Sequence, residues 1–193
     1  MSTETDSVEL VGDETVENVA RAAVFAALTG AMAYVSFPNP VSPVPVTLQV
    51  LGVFLAGLYL GPVWGGLSLS LYVVAGAVGA PIYAGGSAGV GSLLGPYGGY
   101  LWSYPVAAAL TGLVAHGTSG LADPRDVGVP RLVAAMVAAT AVIYTGGTLG
   151  YALVQSVGLV ESFWVAAAAF IPAEAFKIAA AIGITRSDQL NAA

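Results

Sequence analysis

No Asp, Glu, Lys or Arg occurs between Ala22 and Ala122, a stretch of about a hundred residues. Water-soluble domains carry about one charged residue in four, so this gap places the stretch in a bilayer rather than in water. Across all 193 residues 57% are hydrophobic and 8% charged, with a mean hydropathy of +0.83. In hydrocarbon every backbone N–H and C=O must be satisfied within the protein, which a helix does unaided. The expected fold class is therefore an all-α membrane protein at the cell membrane.

Spanning a hydrocarbon core of about 30 Å takes roughly 20 apolar helical residues, which leaves room for six transmembrane helices between Arg21 and Thr185. Turn residues place the cuts. The expected spans are about Val19 to Phe37, Thr47 to Leu60, Val63 to Val78, Gly98 to Ala115, Arg131 to Val154 and Ser162 to Ile184. Between the first two, Pro38, Pro40, Pro43 and Pro45 exclude a helix, and Gly61-Pro62 predicts a tight turn. Nine glycines between Gly76 and Gly99 mark a long loop. Spans two and three are short, which predicts flanking loops that dip into the membrane and line a cavity.

With six spans both termini share one side with the loops after spans two and four. Arg21, Arg125, Arg131 and Arg186 all fall on that side, and the opposite loops contain no Lys or Arg. By the positive-inside rule the termini are cytoplasmic. The expected organisation is a flexible acidic tail over residues 1–18, a single membrane domain over 19–185 and a short cytoplasmic tail over 186–193. The start of the chain is acidic, unlike a secretory signal peptide.

The charges that remain exclude several classes. No cysteine is present, so there is no disulfide framework, thiolate metal site or Cys nucleophile. His116 stands alone, which excludes a multi-histidine metal centre. A net charge of −6 offers no footprint for nucleic acid. Six of the eleven acids lie in the first 17 residues. With four of five bases being Arg, this matches a high-salt organism, or simply an acidic tail.

Glu174 and Lys177 are the exceptions within the spans. Each would cost about 2.5–3.5 kcal/mol at the centre of a lipid-facing helix, and a spacing of three puts them on one face where they can pair. Pro172 removes a helical N–H donor just before them. This points to a site for a polar solute; the alternative is a Lys177 that snorkels to the interface. In Pro43-Val-Pro-Val-Thr-Leu-Gln49 the outer loop runs straight into span two, and Gln49 offers both a donor and an acceptor. The alternative there is a helix cap at Thr47 with a buried Gln. The loop from Gly79 to Tyr97, with Tyr83 and Gly86, suits a lid, or else an aromatic belt. Span one carries two rows of small residues, Ala22, Ala26, Gly30 and Ala23, Ala27, Ala31, for partner contact or internal packing. His116 reads as an interfacial residue.

Five blocks in fixed order resemble the BioY family, the biotin-specific S components of energy-coupling-factor (ECF) transporters: Pro43 to Gln49, Leu55-Ala-Gly-Leu-Tyr-Leu-Gly-Pro62, Gly76-Ala-Val-Gly-Ala-Pro-Ile-Tyr-Ala-Gly-Gly86, Leu93-Leu-Gly-Pro-Tyr-Gly-Gly-Tyr-Leu101 and Pro172-Ala-Glu-Ala-Phe-Lys177. The resemblance covers about residues 19–184. It implies a non-enzymatic vitamin-uptake subunit that captures biotin from outside and delivers it inward. ATP would act only through partner subunits, a transmembrane coupling protein and two ATPases, and no cofactor would be bound covalently. The family's last motif typically reads Asp-x-x-Lys, where this chain has Glu174-x-x-Lys177. The resemblance implies that this motif contributes to the biotin site. The ligand's chemistry then suits Glu174 and Gln49 for the ureido group, Lys177 for negative charge and Tyr83, Tyr100 and Tyr144 for the apolar part, with Gly86 in the loop beside them. The small residues Ala22, Ala23, Ala26, Ala27 and Gly30 resemble the surface by which S components meet the coupling protein. The competing classes are an S component for another vitamin, a small polar-solute channel and an intramembrane enzyme.

Overall fold

The computed structural model describes residues 12–118 and 120–187. Helix α1 (Asp13–Ala33) is followed by two short strands, β1 (Ser36–Phe37) and β2 (Val46–Thr47). The strands pair antiparallel with Ser36 opposite Thr47. The helical stretches that follow are α2 (Gln49–Ala77), the short α3 (Val90–Leu94), α4 (Gly98–His116), α5 (Val129–Gln155), α6 (Leu159–Ala166) and α7 (Ile171–Arg186). The acids Glu4, Asp6 and Glu9 lie outside the described residues, whereas Asp13, Glu14 and Glu17 form the exposed start of α1.

The stretch assigned to α2 is a hairpin of two helices. Gly61 sits at φ 75°, ψ −173°, a backbone region open essentially to glycine alone. Gln49 and Tyr72 lie 23 residues apart and would be separated by about 34 Å on one straight helix. Their side chains are hydrogen bonded at 2.6 Å. Gly65 likewise packs on the backbone of Ala56 and Gly57, where an added Cβ would meet the Ala56 carbonyl oxygen at 3.0 Å. Residues 49–60 and 62–77 are therefore spans two and three. The hairpin, α1, α4, α5 and the pair α6–α7 make the six spans.

Spans 49–60 and 62–77 differ in what they face. Nearly every residue from Gln49 to Leu60 is buried, so this helix runs through the middle of the bundle, as a helix apolar on all sides does. On 62–77 a stripe of Val63, Leu67, Leu71, Val74 and, just beyond it, Val78 is exposed at helical spacing. Trp102 and Val106 on α4, Val137 and Leu153 on α5 and Phe176 on α7 continue an outer apolar surface, which is the face a bilayer covers. On α5 the opposite stripe, Leu132, Met136, Ala139, Ile143 and Gly147, packs inward.

Where helices cross, glycine removes the side chain that would hold them apart. A Cβ on Gly57 would strike the carbonyl oxygen of Ala108 and lie 2.6 Å from Cβ of Thr111, so span two and α4 touch backbone to side chain. Gly99 on α4 meets Gly146 and Gly150 on α5 in the same way.

One end of the bundle gathers all four arginines. The guanidinium of Arg186 donates to the carbonyls of Arg125 and, at 2.6 Å, Val127. Nε of Arg131 donates to the Val114 carbonyl at 2.7 Å. Arg21 and Arg125 line a common groove. Arg125 also grips both carboxylate oxygens of Asp123, Oδ1 through Nε and Oδ2 through Nη2, which holds that exposed carboxyl down at about 2.

Two features depart from the expected spans. Span one starts earlier and ends at Ala33, because the chain leaves the helix to form β1. Span six is interrupted: α6 stops at Ala166, a single 3-10 turn covers Ala168–Phe170, and α7 begins at Ile171 with Pro172 in its first turn.

Candidate functional site

The interruption of span six creates the site. Pro172 has no N–H to return to the preceding turn, and Ala167 leaves helical geometry at φ −134°, ψ −63°, so carbonyls at this break lose their helical partners. Other elements supply them. The Ser42 hydroxyl donates to the Val165 carbonyl at 2.8 Å, the Tyr100 hydroxyl to the Ala166 carbonyl at 2.5 Å and the Asn39 amide to the Ala169 carbonyl at 3.4 Å. Irregular backbone within the membrane is sustained by such partners. Here they tie the proline-rich loop and α4 to span six, and they turn the first residues of α7 inward.

Glu174 and Lys177 on α7 are then 3% and 5% exposed. Nζ of Lys177 donates to Oε1 of Glu174 at 2.5 Å, and the Tyr144 hydroxyl from α5 donates to the same oxygen at 2.7 Å. Burial of a charge in such a place demands a counter-charge and hydrogen bonds, and one carboxylate oxygen has both. The other, Oε2, is buried without a partner. Lys177 does not snorkel to the interface.

A cavity of about 530 Å³ lies against this pair at the end of the bundle opposite the arginines. Gln49, Tyr83, Tyr100, Tyr144, Glu174 and Lys177 all line it, drawn together from span two, the glycine-rich loop, α4, α5 and α7. Gln49 is fixed by its neighbours: Oε1 accepts from the Thr47 hydroxyl at 2.8 Å and Nε2 donates to the Tyr72 hydroxyl at 2.6 Å, which in turn donates to the Ile82 carbonyl at 2.9 Å. The β1–β2 pairing sets Thr47 at the mouth of the helix. Tyr83 is pinned by its hydroxyl to the Val73 carbonyl, its ring lying against Gly76, where a Cβ would collide. The rings of Tyr100, Tyr144 and Phe170 follow one another at centroid distances of 6.3 and 5.9 Å.

Gly86 does not line the cavity; its neighbour Gly85 does. Gly86 adopts φ 73° and faces the ring of Tyr34 at the outer rim. The two small-residue rows of α1 also part company. Ala22, Ala26 and Gly30 are buried within the chain: the Ala22 carbonyl accepts from Ser68 at 2.7 Å, and a Cβ on Gly30 would press on Ile82 at 3.1 Å. Ala23, Ala27 and Ala31 are exposed. His116 is buried at the arginine end, far from Glu174, with Nε2 2.8 Å from the Leu58 carbonyl.

Two residues that contribute to the cavity, Tyr104 and Phe170, have no sequence marker of their own. Tyr104 stands four residues after Tyr100 on α4, which puts the two on one face, and Phe170 lies in the 3-10 turn that leads into α7.

The BioY family model matches residues 2–191. The Rhodobacter capsulatus protein named biotin transporter BioY is 37% identical over 173 residues, 83% of this chain and 87% of that one. A probable biotin transporter BioY of Pyrococcus horikoshii is 46% identical over 97 residues, half of this chain and 59% of that relative's length. The crystal structure of an S-component for biotin from an ECF-type ABC transporter superposes with a TM-score of 0.78 at 23% identity, covering 92% of this chain and 93% of that one, so the two share a fold. A family match over nearly the whole chain, together with a relative aligned along most of both lengths, makes this chain a member of the BioY family.

Proposed function

We propose that this chain is the substrate-capture subunit of a biotin uptake transporter. It takes biotin from outside into the cavity and delivers it inward with an ATP-driven partner module. One observation carries the reading: the buried pair of Glu174 and Lys177, with Tyr144 on the same carboxylate oxygen, lies at the wall of a cavity that Gln49, Tyr83, Tyr100 and Tyr104 also line. A carboxylate accepts at each of its oxygens, and Oε2 has no partner among the described residues, which suits a ligand that brings N–H donors to this pair. Biotin's ureido ring carries two N–H groups, its carbonyl can accept from Gln49 or Lys177, and its apolar bicyclic body suits Tyr83, Tyr100 and Tyr144. ATP would be hydrolysed by partner subunits. The exposed row Ala23, Ala27 and Ala31 offers a close-approach surface for a membrane partner helix.

Equilibrium binding of labelled biotin to the detergent-purified chain tests this, with unlabelled biotin, thiamine and riboflavin as competitors. Saturable binding displaced by biotin alone is the expected result. Displacement by another vitamin, or no binding by folded protein, would overturn biotin as the ligand.

A further inference from the structure

Tyr72, on span three, is fully buried and does not line the cavity, yet it touches three residues that do. Its hydroxyl accepts from Nε2 of Gln49 at 2.6 Å. Its ring stands edge-on to that of Tyr83 at a centroid distance of 5.6 Å and lies tilted against that of Tyr104 at 6.3 Å.

The protons around Tyr72 admit one arrangement. A phenol carries a single proton, and the Ile82 carbonyl, 2.9 Å away, only accepts, so the proton lies on that bond. Toward Gln49 the Tyr72 oxygen is left as an acceptor, and the amide must turn its NH2 group to it. On the other side of the amide, Oε1 takes the Thr47 hydroxyl proton at 2.8 Å. An amide rotated by half a turn would set Oε1 against the Tyr72 oxygen, acceptor against acceptor, at a buried position.

A backbone carbonyl of the glycine-rich loop thus dictates the direction of the Gln49 amide, with Tyr72 as the relay. Among the described residues each end of the amide has one side-chain partner, which leaves one N–H and one lone pair in a fixed order. Were the loop to lift from Tyr72, the hydroxyl proton would be free to turn toward Gln49, and either order of the amide would be satisfied.

We infer that Tyr72 is a positioning residue of the substrate site. Its hydroxyl fixes which end of the Gln49 amide donates and which accepts, and ties that order to the seating of the loop at Ile82. This rests on the biotin reading above, in which Gln49 is one of the groups set against the ureido ring.

A double-mutant cycle separates this role from packing. Binding of labelled biotin is measured on the purified full-length chain, on Tyr72→Phe, on Gln49→Leu and on the double variant, with a melting curve for each. Tyr72→Phe keeps the ring against Tyr83 and Tyr104 and is expected to weaken binding about tenfold, as the loss of a buried hydrogen bond does. In the Gln49→Leu background the same change still removes the bond to Ile82 but has no amide to release, and its effect is expected to stay within about twofold. Equal losses in the two backgrounds would show that the hydroxyl acts through packing or the loop alone, and would overturn the inference. So would parental affinity in Tyr72→Phe or in Gln49→Leu, while leaving biotin as the ligand. No saturable binding by the folded parent chain would overturn both. Should Tyr72→Phe not fold, Thr47→Val releases the same amide from its other anchor and runs through the same cycle, and a loss that persists in the Gln49→Leu background would overturn the inference.

Discussion

Lys177, Glu174 and Tyr144 form one unit, and each substitution tests a different part of it. Lys177→Ala leaves Glu174 buried without its cation, and breaking such a pair typically costs about 3–5 kcal/mol. The variant is expected to melt well below the parent chain and to lose measurable biotin binding. Tyr144→Phe removes one hydrogen bond to a charged oxygen, worth about 1.5–3 kcal/mol, while its ring still packs on Phe170. Binding about ten- to a hundred-fold weaker in a normally folded protein is expected from titration calorimetry. Glu174 and Lys177 were legible in the sequence because ionisable groups in a bilayer need a reason. Gln49 was legible as a donor and acceptor where the outer loop enters span two and Tyr83 as an aromatic of the glycine-rich loop, whereas Tyr100 and Tyr144 rested on the chemistry of the ligand that the resemblance implies. Tyr104 and Phe170 were not legible, since a single aromatic residue within an apolar helix looks the same whether it faces lipid, core or ligand. Gly86 was placed one residue away from the glycine that lines the cavity, because in Ala84-Gly-Gly86 composition alone does not tell which glycine faces inward.

At the scale of the element, breaks matter more than helices. Pro62 deprives the Leu58 carbonyl of the N–H that a continuous helix would offer it four residues on. Nε2 of His116, from the last turn of α4, takes that place at 2.8 Å. A carbonyl only accepts, so Nε2 carries the proton. The residue read as interfacial thus staples the hairpin turn to α4. His116→Ala is expected to lower stability by about 1–3 kcal/mol, the cost of an unsatisfied buried acceptor, seen as a lower melting temperature with biotin affinity preserved. Gly57→Ala is expected to destabilise by about 1–3 kcal/mol through overpacking against Ala108 and Thr111, checked by the same melt. The hairpin itself was legible in Gly61-Pro62. The interruption of span six was foreshadowed by Pro172, but its extent depends on partners 120 or more residues away, Ser42 and Asn39. Local sequence does not display such pairings.

For the whole molecule, the arginines and the cavity lie at opposite ends, so by the positive-inside rule the cavity opens to the outside. The chain has no cysteine, so single cysteines report on sidedness without background. Ser87→Cys in intact cells is expected to react with a membrane-impermeant maleimide and to be shielded by biotin, whereas Thr118→Cys should react only after the membrane is opened. The reverse pattern would invert the topology. The exposed acids at the start of α1, Asp13, Glu14 and Glu17, add to an overall charge of −6. If the chain is adapted to high salt, its melting temperature in detergent should climb steeply from about 0.1 M to multimolar KCl, where the screening length falls from about 10 Å to 3 Å or less.

The third span also bears on the surrounding lipid. Residues 62–77 make a helix of about 24 Å, and its outer stripe faces acyl chains in a hydrocarbon layer about 30 Å thick. Lipids beside that stripe must shorten to match it, so the protein carries a pinched patch of bilayer on one flank. Each ångström of mismatch costs a fraction of a kcal/mol, which makes acyl-chain length a control variable for this chain. Thin membranes would cradle it, and thick ones would press it toward tilting or toward company on that flank.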